Sequence, residues 1–550
     1  MVKSASNWEF AKLIESKTVL VIDDFGDMRN MLVNIMRMLG AKNIDSAING
    51  ERAIELMEEN KYDIVLCDYN LGSGKDGQQV LEEARHRNLI TLATIFIMVT
   101  AESSKAMVMG AIEHEPDSYV SKPFSKDLIK ARIERAMARK NDLGEIYQAV
   151  EARQLDEAIV LLDKKIAKKP KNLGDLMRVK AEVCFQAGNY DCSEDIYKKV
   201  LALRDVPWAK LGMGKVLFKR KEHQKAAEVF RELNSSNPDF TVAMDWQAKC
   251  FQAMGQVDEA KTVLSNALEI SPRGILRQEL FGDLSMQTGD FEKAEKAFGQ
   301  AVKLGKNSVH NHPVFFSNLA KSQTSQNKHD DALKSLGRIK KNFGDADNAD
   351  IYTAATEALV YHNKGDKEKS EEAMKKASGL YDISGDSADN KLTLELAKVA
   401  SDLGDTAKTE ELLKKAIQNN HDDDEFLNAV TAVLNASDLD HDAESFVSGL
   451  RKEVIEMNNR GVQLLQKGRL DEAVKLFEEA AEQMTGNSII TTNATRALLM
   501  RMESSGADNN DLFAVRQYLD RLKRIDPGNS TNQATYQKLV TRLKKVIESA

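Results

Sequence analysis

Ile64-Val65-Leu66-Cys67-Asp68-Tyr69-Asn70-Leu71 runs four apolar or near-apolar residues straight into an aspartate, and Gly72-Ser73-Gly74-Lys75-Asp76-Gly77 follows it. Such a run predicts a buried parallel strand whose C-terminal end carries a carboxylate. In open α/β sheets, ligands and chemistry gather at that edge. Asp68 gains weight from its counterparts. Val19-Leu20-Val21-Ile22 ends in Asp23-Asp24, Ile95-Phe96-Ile97-Met98-Val99 ends in Thr100, and Ser118-Tyr119-Val120-Ser121 ends in Lys122-Pro123-Phe124. A further short strand is expected at about Asn43 to Ala47. Helices are expected at about Met28 to Leu39, Glu51 to Glu59, Gln78 to Arg87, Ser104 to Gly110 and Lys126 to Arg139. Strand and helix alternate, which predicts an α/β, doubly wound, five-stranded parallel sheet.

The strand ends bring together Asp23, Asp24, Asp68, Thr100 and Lys122. Three converging carboxylates repel one another unless a cation intervenes. A hard divalent ion such as Mg²⁺ suits oxygen ligands and would hold an incoming phosphoryl group. Asp68 then has the chemistry of a carboxylate nucleophile. Lys122 and Thr100 could each bind a phosphoryl oxygen. Taken singly, Asp23-Asp24 or Thr100 reads as a helix cap and Lys122-Pro123 as a turn. It is the ordered set that points to phosphoryl transfer, which needs mainly positioning and charge neutralisation.

Asp23-Asp24, Asp68, Thr100-Ala101-Glu102, Tyr119 and Lys122-Pro123-Phe124 resemble the receiver domain of bacterial two-component response regulators, a flavodoxin-like fold. The resemblance covers about the first quarter of the chain. It implies that Asp68 is the phosphoacceptor, that Asp23, Asp24, Asp68 and the backbone carbonyl of Asn70 hold Mg²⁺, and that Thr100 and Tyr119 form a switch pair. It also implies a cis bond at Pro123. Asn70 and Glu102 match positions that tune dephosphorylation, and their pairing implies a short-lived phosphoryl group. One departure is the loop from Leu71 to Gly77, where the commoner pattern has Met-Pro and one residue fewer.

The remainder repeats itself. Ala226, Ala260 and Ala294 recur at the tetratricopeptide period of 34 residues. Each precedes a large apolar residue by four (Phe230, Leu264, Phe298) and follows a small one by twelve (Gly214, Ala248, Gly282). Gly255 and Gly289 stand where two helices must turn, and Pro238 and Pro272 where the second helix ends. The stretch resembles tetratricopeptide repeats. Looser copies carry Ala158, Ser193, Ala332, Ser370 and Thr409, and a clear one runs from Gly461 to Ala480. The expected organisation is an N-terminal extension over 1–15, a receiver over 16–140, some nine to eleven helix pairs over 141–530 as an all-α superhelical solenoid, and a capping helix over 531–550.

Other features read as structural. His310 and His312 lie in a polar inter-repeat stretch with no further ligand pair. Asp438, Asp440 and Asp442 imitate an EF-hand, but Ala443 and Gly449 replace its required glycine and glutamate. His421 to Glu425 reads as a solvated helix start, and Trp208 and Trp246 as packing within repeats. The four cysteines form no CxxC pair and read as reduced thiols. Net charge is −8, which argues against nucleic acid as the main partner. No apolar run is long enough for a membrane span and no signal-like segment opens the chain, so a cytoplasmic location is expected.

The expected function is that of a response regulator, not an enzyme with a separate substrate. Its partners would be a sensor histidine kinase or phosphotransfer protein, a protein or peptide ligand in the repeat groove, and a second copy docked through the Ser104–Gly110 helix, the Ser118–Ser121 strand and the following helix. The alternative is an adaptor that docks to a kinase whether or not it is phosphorylated.

Overall fold

The computed structural model describes residues 7–101, 116–168, 170–344, 348–384, 390–437, 439–440, 442–506, 508–525 and 530–549. It divides into two compact units, Met1–Asn311 and His312–Ala550. Glu102, Asp438 and the helix expected from Ser104 to Gly110 lie outside the described residues. Among the described residues, no helix is long and apolar enough to cross a membrane.

The first unit opens with a five-stranded, all-parallel sheet. Its strands are β1 (Thr18–Ile22), β2 (Asn43–Ala47), β3 (Ile64–Asp68), β4 (Ile95–Thr100) and β5 (Ser118–Ser121), in the order β2-β1-β3-β4-β5. Every residue of β3 and β4 is buried, as expected for central strands covered on both faces. Alternate side chains serve two cores. Val19, Val21, Leu66 and Ile97 face one, while Leu20, Ile22, Val65, Cys67 and Met98 face the other.

The N-terminal segment is no mere extension. Helix Asn7–Glu15 buries Phe10 and Ile14, four residues apart, against Leu32, Ile129 and Ile133. The spacing is the helical i, i+4 pair.

Helix Lys126–Asn141 covers the sheet and leads through Leu143 into Gly144–Glu151. Asp117, just before β5, fastens its end. Arg139 and Lys140 each reach an Asp117 carboxylate oxygen at 2.7 Å, and the Phe96 amide donates to the same group at 2.9 Å. Five helical hairpins then follow, from Gly144–Glu151 with Leu155–Ile166 to Ile275–Gln287 with Phe291–Gly305. The repeat pattern is legible in atoms. A Cβ on Gly214 would stand 2.4 Å from the Phe230 ring and one on Gly282 2.6 Å from the Phe298 ring. Each glycine leaves the hollow that its aromatic partner fills. Gly255 and Gly289 turn between helices at φ of 73° and 72°, the left-handed region that glycine enters without strain. Trp246 packs on Phe218 and Phe230, and Trp208 on Tyr197.

The cysteine expectation needs correcting. Cys184 and Cys192 are joined in a disulfide, whereas Cys67 and Cys250 are free and buried. The tight turn between helices Leu173–Gln186 and Tyr190–Leu203 brings residues eight apart to a Cα separation of 5.9 Å. A search for CxxC spacing passes over such a pair.

The second unit holds the wider-spaced copies. Ala332, Ser370 and Thr409 are all buried. Their extra residues extend helices: His329–Phe343, Ala349–Lys364 and Lys367–Ser384 run for 15, 16 and 18 residues. The Gly461 copy repeats the hollow, with a Cβ there standing 2.3 Å from the Phe477 ring. The last helix, Ser530–Ser549, buries Leu539, Leu543 and Val546 in the terminal core. Asp442 caps helix Ala443–Gln466 by accepting from the Ser445 amide. Asp423 likewise caps helix Asp424–Ala436. Contrary to the solvated helix start expected from the sequence, His421 is buried and shares a hydrogen bond with Asn487 at 3.0 Å.

Candidate functional site

The parallel register sets the ends of β1, β3, β4 and β5 along one edge, and the residues just past them converge. Asp23, Asp24 and Asp68 each offer a carboxylate oxygen within 4.8 Å of the others. Asp23 and Asp68 are buried and Asp24 is exposed. Lys122 bridges the buried pair, with Nζ 3.0 Å from Asp23 Oδ2 and 2.7 Å from Asp68 Oδ2. The Lys122 amide donates to the Thr100 carbonyl at 2.7 Å, which seats the lysine beside the end of β4. The Lys122–Pro123 peptide is cis.

Further bonds fix Asp23. Its Oδ1 accepts from the Phe25 amide at 2.9 Å, and its carbonyl accepts from Arg29 at 2.8 Å. Burial pushes the Asp68 carboxyl above its ordinary pKa, and the Lys122 hydrogen bond offsets this only in part. Burial would also lower the Lys122 ammonium, but its bonds to Asp68 and Asp23 prevail and hold it above the ordinary value. The lysine therefore stays charged and stands in for a cation between two acids. Three oxygen donors at this spacing, one of them open to solvent, suit a hard divalent ion that keeps several waters.

The loop after Asp68 is tied closely to it. Asn70 Oδ1 accepts from the Gly72 amide at 3.2 Å. A Cβ on Gly72 would stand 3.0 Å from Asp24 Oδ2, so this loop passes beside Asp24, which stays exposed. Asp76 caps helix Gly77–His86 in a reciprocal box with Gln79, at 2.9 and 3.0 Å. The Gly77 amide donates to the Tyr69 carbonyl at 2.8 Å. A Cβ on Gly77 would stand 2.1 Å from the Asp68 carbonyl oxygen. Gly77→Ala must therefore push the helix start off the acceptor strand. We expect about 1–3 kcal/mol of destabilisation in urea unfolding, and an unchanged midpoint would show that the contact yields freely.

Tyr119 is partly buried on β5, and its hydroxyl is buried without a hydrogen-bond partner among the described residues. Burial pushes its pKa up strongly. Sequence reasoning missed Asp76, whose cap was hidden in a Gly-rich loop, and all of the distant residues that meet this loop. Arg273 lies 2.5 Å from Asp76 Oδ2, and His310, expected in an uninvolved loop, lies 3.0 Å from Glu82.

Known proteins align with both parts. Residues 19–134 match the response regulator receiver domain, and residues 242–273, 279–307 and 355–382 match tetratricopeptide repeats. The chain is similar to chemotaxis protein CheY of Pseudomonas aeruginosa, with 30% identity over 22% of this chain and 98% of that protein. A probable chemotaxis protein CheY of Rhizobium etli is 33% identical over 22% of this chain and 93% of its own. A tetratricopeptide repeat protein from Parabacteroides merdae superposes with a TM-score of 0.31 at 14% identity, covering 44% of this chain and 93% of that one. By these matches the chain belongs to the response regulator family, its receiver domain joined to tetratricopeptide repeats of the protein-interaction type.

Proposed function

We propose that Asp68 accepts a phosphoryl group from a histidine kinase or phosphotransfer protein, and that the repeats pass the signal on by binding protein. The observation that supports this most is Lys122 bridging Asp23 and Asp68 with Asp24 alongside. An Asp68 carboxylate oxygen would attack phosphorus, and the bond from phosphorus to the donor's nitrogen would break. Lys122 would move from the two carboxylates to a phosphoryl oxygen, and Thr100 would donate to another. Asp23, Asp24 and the Asn70 carbonyl are suited to Mg²⁺, which when bound neutralises phosphoryl oxygens. The product adds negative charge and strong acceptors where Lys122 now sits. Tyr119, its hydroxyl unpaired among the described residues, would turn with Thr100 and alter the face built on β5 and helix Lys126–Asn141, through which two copies could pair. Asn70, together with Glu102, would keep phospho-Asp68 short-lived.

In this reading the protein turns over no separate substrate, acts in the cytoplasm and has no nucleic-acid target. Affinity capture with the full chain tests it. Beryllofluoride with Mg²⁺ should change which proteins the wild type retains and should leave Asp68→Asn unaffected. Identical capture by both proteins in both conditions would instead favour an adaptor indifferent to phosphorylation.

A further inference from the structure

Within the first unit, the chain just past helix Phe291–Gly305 meets helix Gly77–His86. The meeting gathers side chains that no single stretch of sequence holds. Glu82 and His86 are four residues apart, so they share one face of the last turn of their helix. His310 brings Nε2 to 3.0 Å from Glu82 Oε1. The His310 and His86 rings stand edge to face, with centres 6.5 Å apart. Ser308 Oγ lies 3.2 Å from Glu82 Oε2 and orients the carboxylate. Glu82 and His310 also line a cavity of about 410 Å³. Its wall sets Asp76, Glu82 and Asp245 against Arg85, Arg273 and Arg277, so its fixed charges balance and do not repel a cation.

We propose that Glu82, His86 and His310 form a zinc site joining the receiver helix to the repeats. Zinc takes imidazole nitrogen and carboxylate oxygen at about 2.0–2.2 Å in a tetrahedron, which sets the ligand atoms roughly 3.3 Å apart. The 3.0 Å between His310 Nε2 and Glu82 Oε1 is close to that spacing, and the ion would replace the hydrogen between them. Two imidazoles on one such ion have ring centres roughly 5–6 Å apart. His86 is exposed at the end of its helix, so a turn of its side chain closes the remaining gap. Among the described residues, Asp23, Asp24 and Asp68 are the group whose ligand atoms are already gathered; this second site closes when the ion draws His86 in. Two nitrogens in the set favour zinc over Mg²⁺, which suits oxygen ligands. The cavity leaves room for water as the fourth ligand, and Ser308 supports Glu82 from outside the set. The site shares no residue with the acids at the strand ends and does not depend on the phosphoacceptor reading. When filled, it would fasten helix Gly77–His86 to the end of the hairpin.

Calorimetric titration of zinc into the chelator-stripped full-length protein tests this, with saturating Mg²⁺ present, alongside His86→Ala, His310→Ala and Asp24→Asn. Each histidine variant should lose at least about tenfold in zinc affinity, since even partners outside the ligand set cost that much. Asp24→Asn should bind this zinc as the wild type does. Zinc should slow hydrogen exchange over 306–310 in the wild type and leave it unchanged in His86→Ala. Because His86 is exposed, its alanine variant should melt with the wild type when zinc is absent, which separates a lost ligand from a lost fold. A wild type that binds no zinc would overturn the site, as would equal binding by the wild type and both histidine variants. A loss confined to one of the two histidine variants would also overturn it. A loss confined to Asp24→Asn would assign the zinc to the strand-end acids and overturn it as well.

Discussion

Asp68→Asn should abolish phosphoryl uptake without unfolding the protein. An amide is not a carboxylate nucleophile, so acetyl phosphate with Mg²⁺ should leave the variant unlabelled. Stability should hold, because Lys122 keeps Asp23 as a partner 3.0 Å away. The sign follows from linkage. Burial raises the Asp68 pKa, so the folded state holds this proton more tightly than the unfolded chain does. Above the ordinary carboxylate range, ionised Asp68 therefore opposes folding, and that opposition fades as pH falls through the raised value. Removing the charge should leave the midpoint of thermal unfolding at pH 7 equal to or above that of the wild type. Labelling of Asp68→Asn at the wild-type level would place the acceptor elsewhere. A large drop in midpoint would mean that the Asp68–Lys122 pair is mainly structural.

The second large effect concerns the C-terminal unit. Helix Pro313–Thr324 is buried nearly all round, and Lys321 on it forms an ion pair with the buried Glu395, which also binds Lys398 at 2.9 Å. Burial alone would raise the Glu395 carboxyl, but Lys321 and then Lys398 prevail and bring it down to about 2. Lys321→Met leaves a buried carboxylate with only the more exposed Lys398. We expect it to cost about 3 kcal/mol in unfolding at pH 7, the lower end for breaking a buried pair. A depressed acid contributes stability above its unfolded value and loses it as pH falls through the folded one. Wild-type stability from this group should thus decline between pH 4.5 and pH 2. Lys321→Met should show a shallower decline in that window. Urea unfolding of both proteins from pH 7 to pH 2 checks this, and parallel curves would remove Glu395 as the cause.

Much of this was legible in the sequence because it is local. An apolar run ending in a polar or charged residue marks both a strand and its functional end, which is how Asp23, Asp68, Thr100 and Lys122 could be grouped. The alanine period and the paired glycine and aromatic positions survive because each repeat packs on its neighbours alone. Contacts between distant segments left no trace. Arg273 and Asp76 are 197 residues apart, and no periodicity links them. Phe10 and Ile14 had the spacing of a buried helix face, but they lay ahead of the first strand where no neighbour was evident. Cys184 and Cys192 needed the hairpin turn before their separation meant anything. The meeting of His310 with Glu82 depends on how the last hairpin of the first unit lies on the receiver helix, which local sequence does not encode.

The most direct measurement is peptide mapping of the full-length protein after incubation with acetyl phosphate and Mg²⁺, followed by borohydride reduction of any acyl phosphate. Reduction confined to Asp68, and absent when Mg²⁺ is withheld, is the predicted result. A wild-type protein with every carboxylate intact, or reduced at some other position, would contradict it.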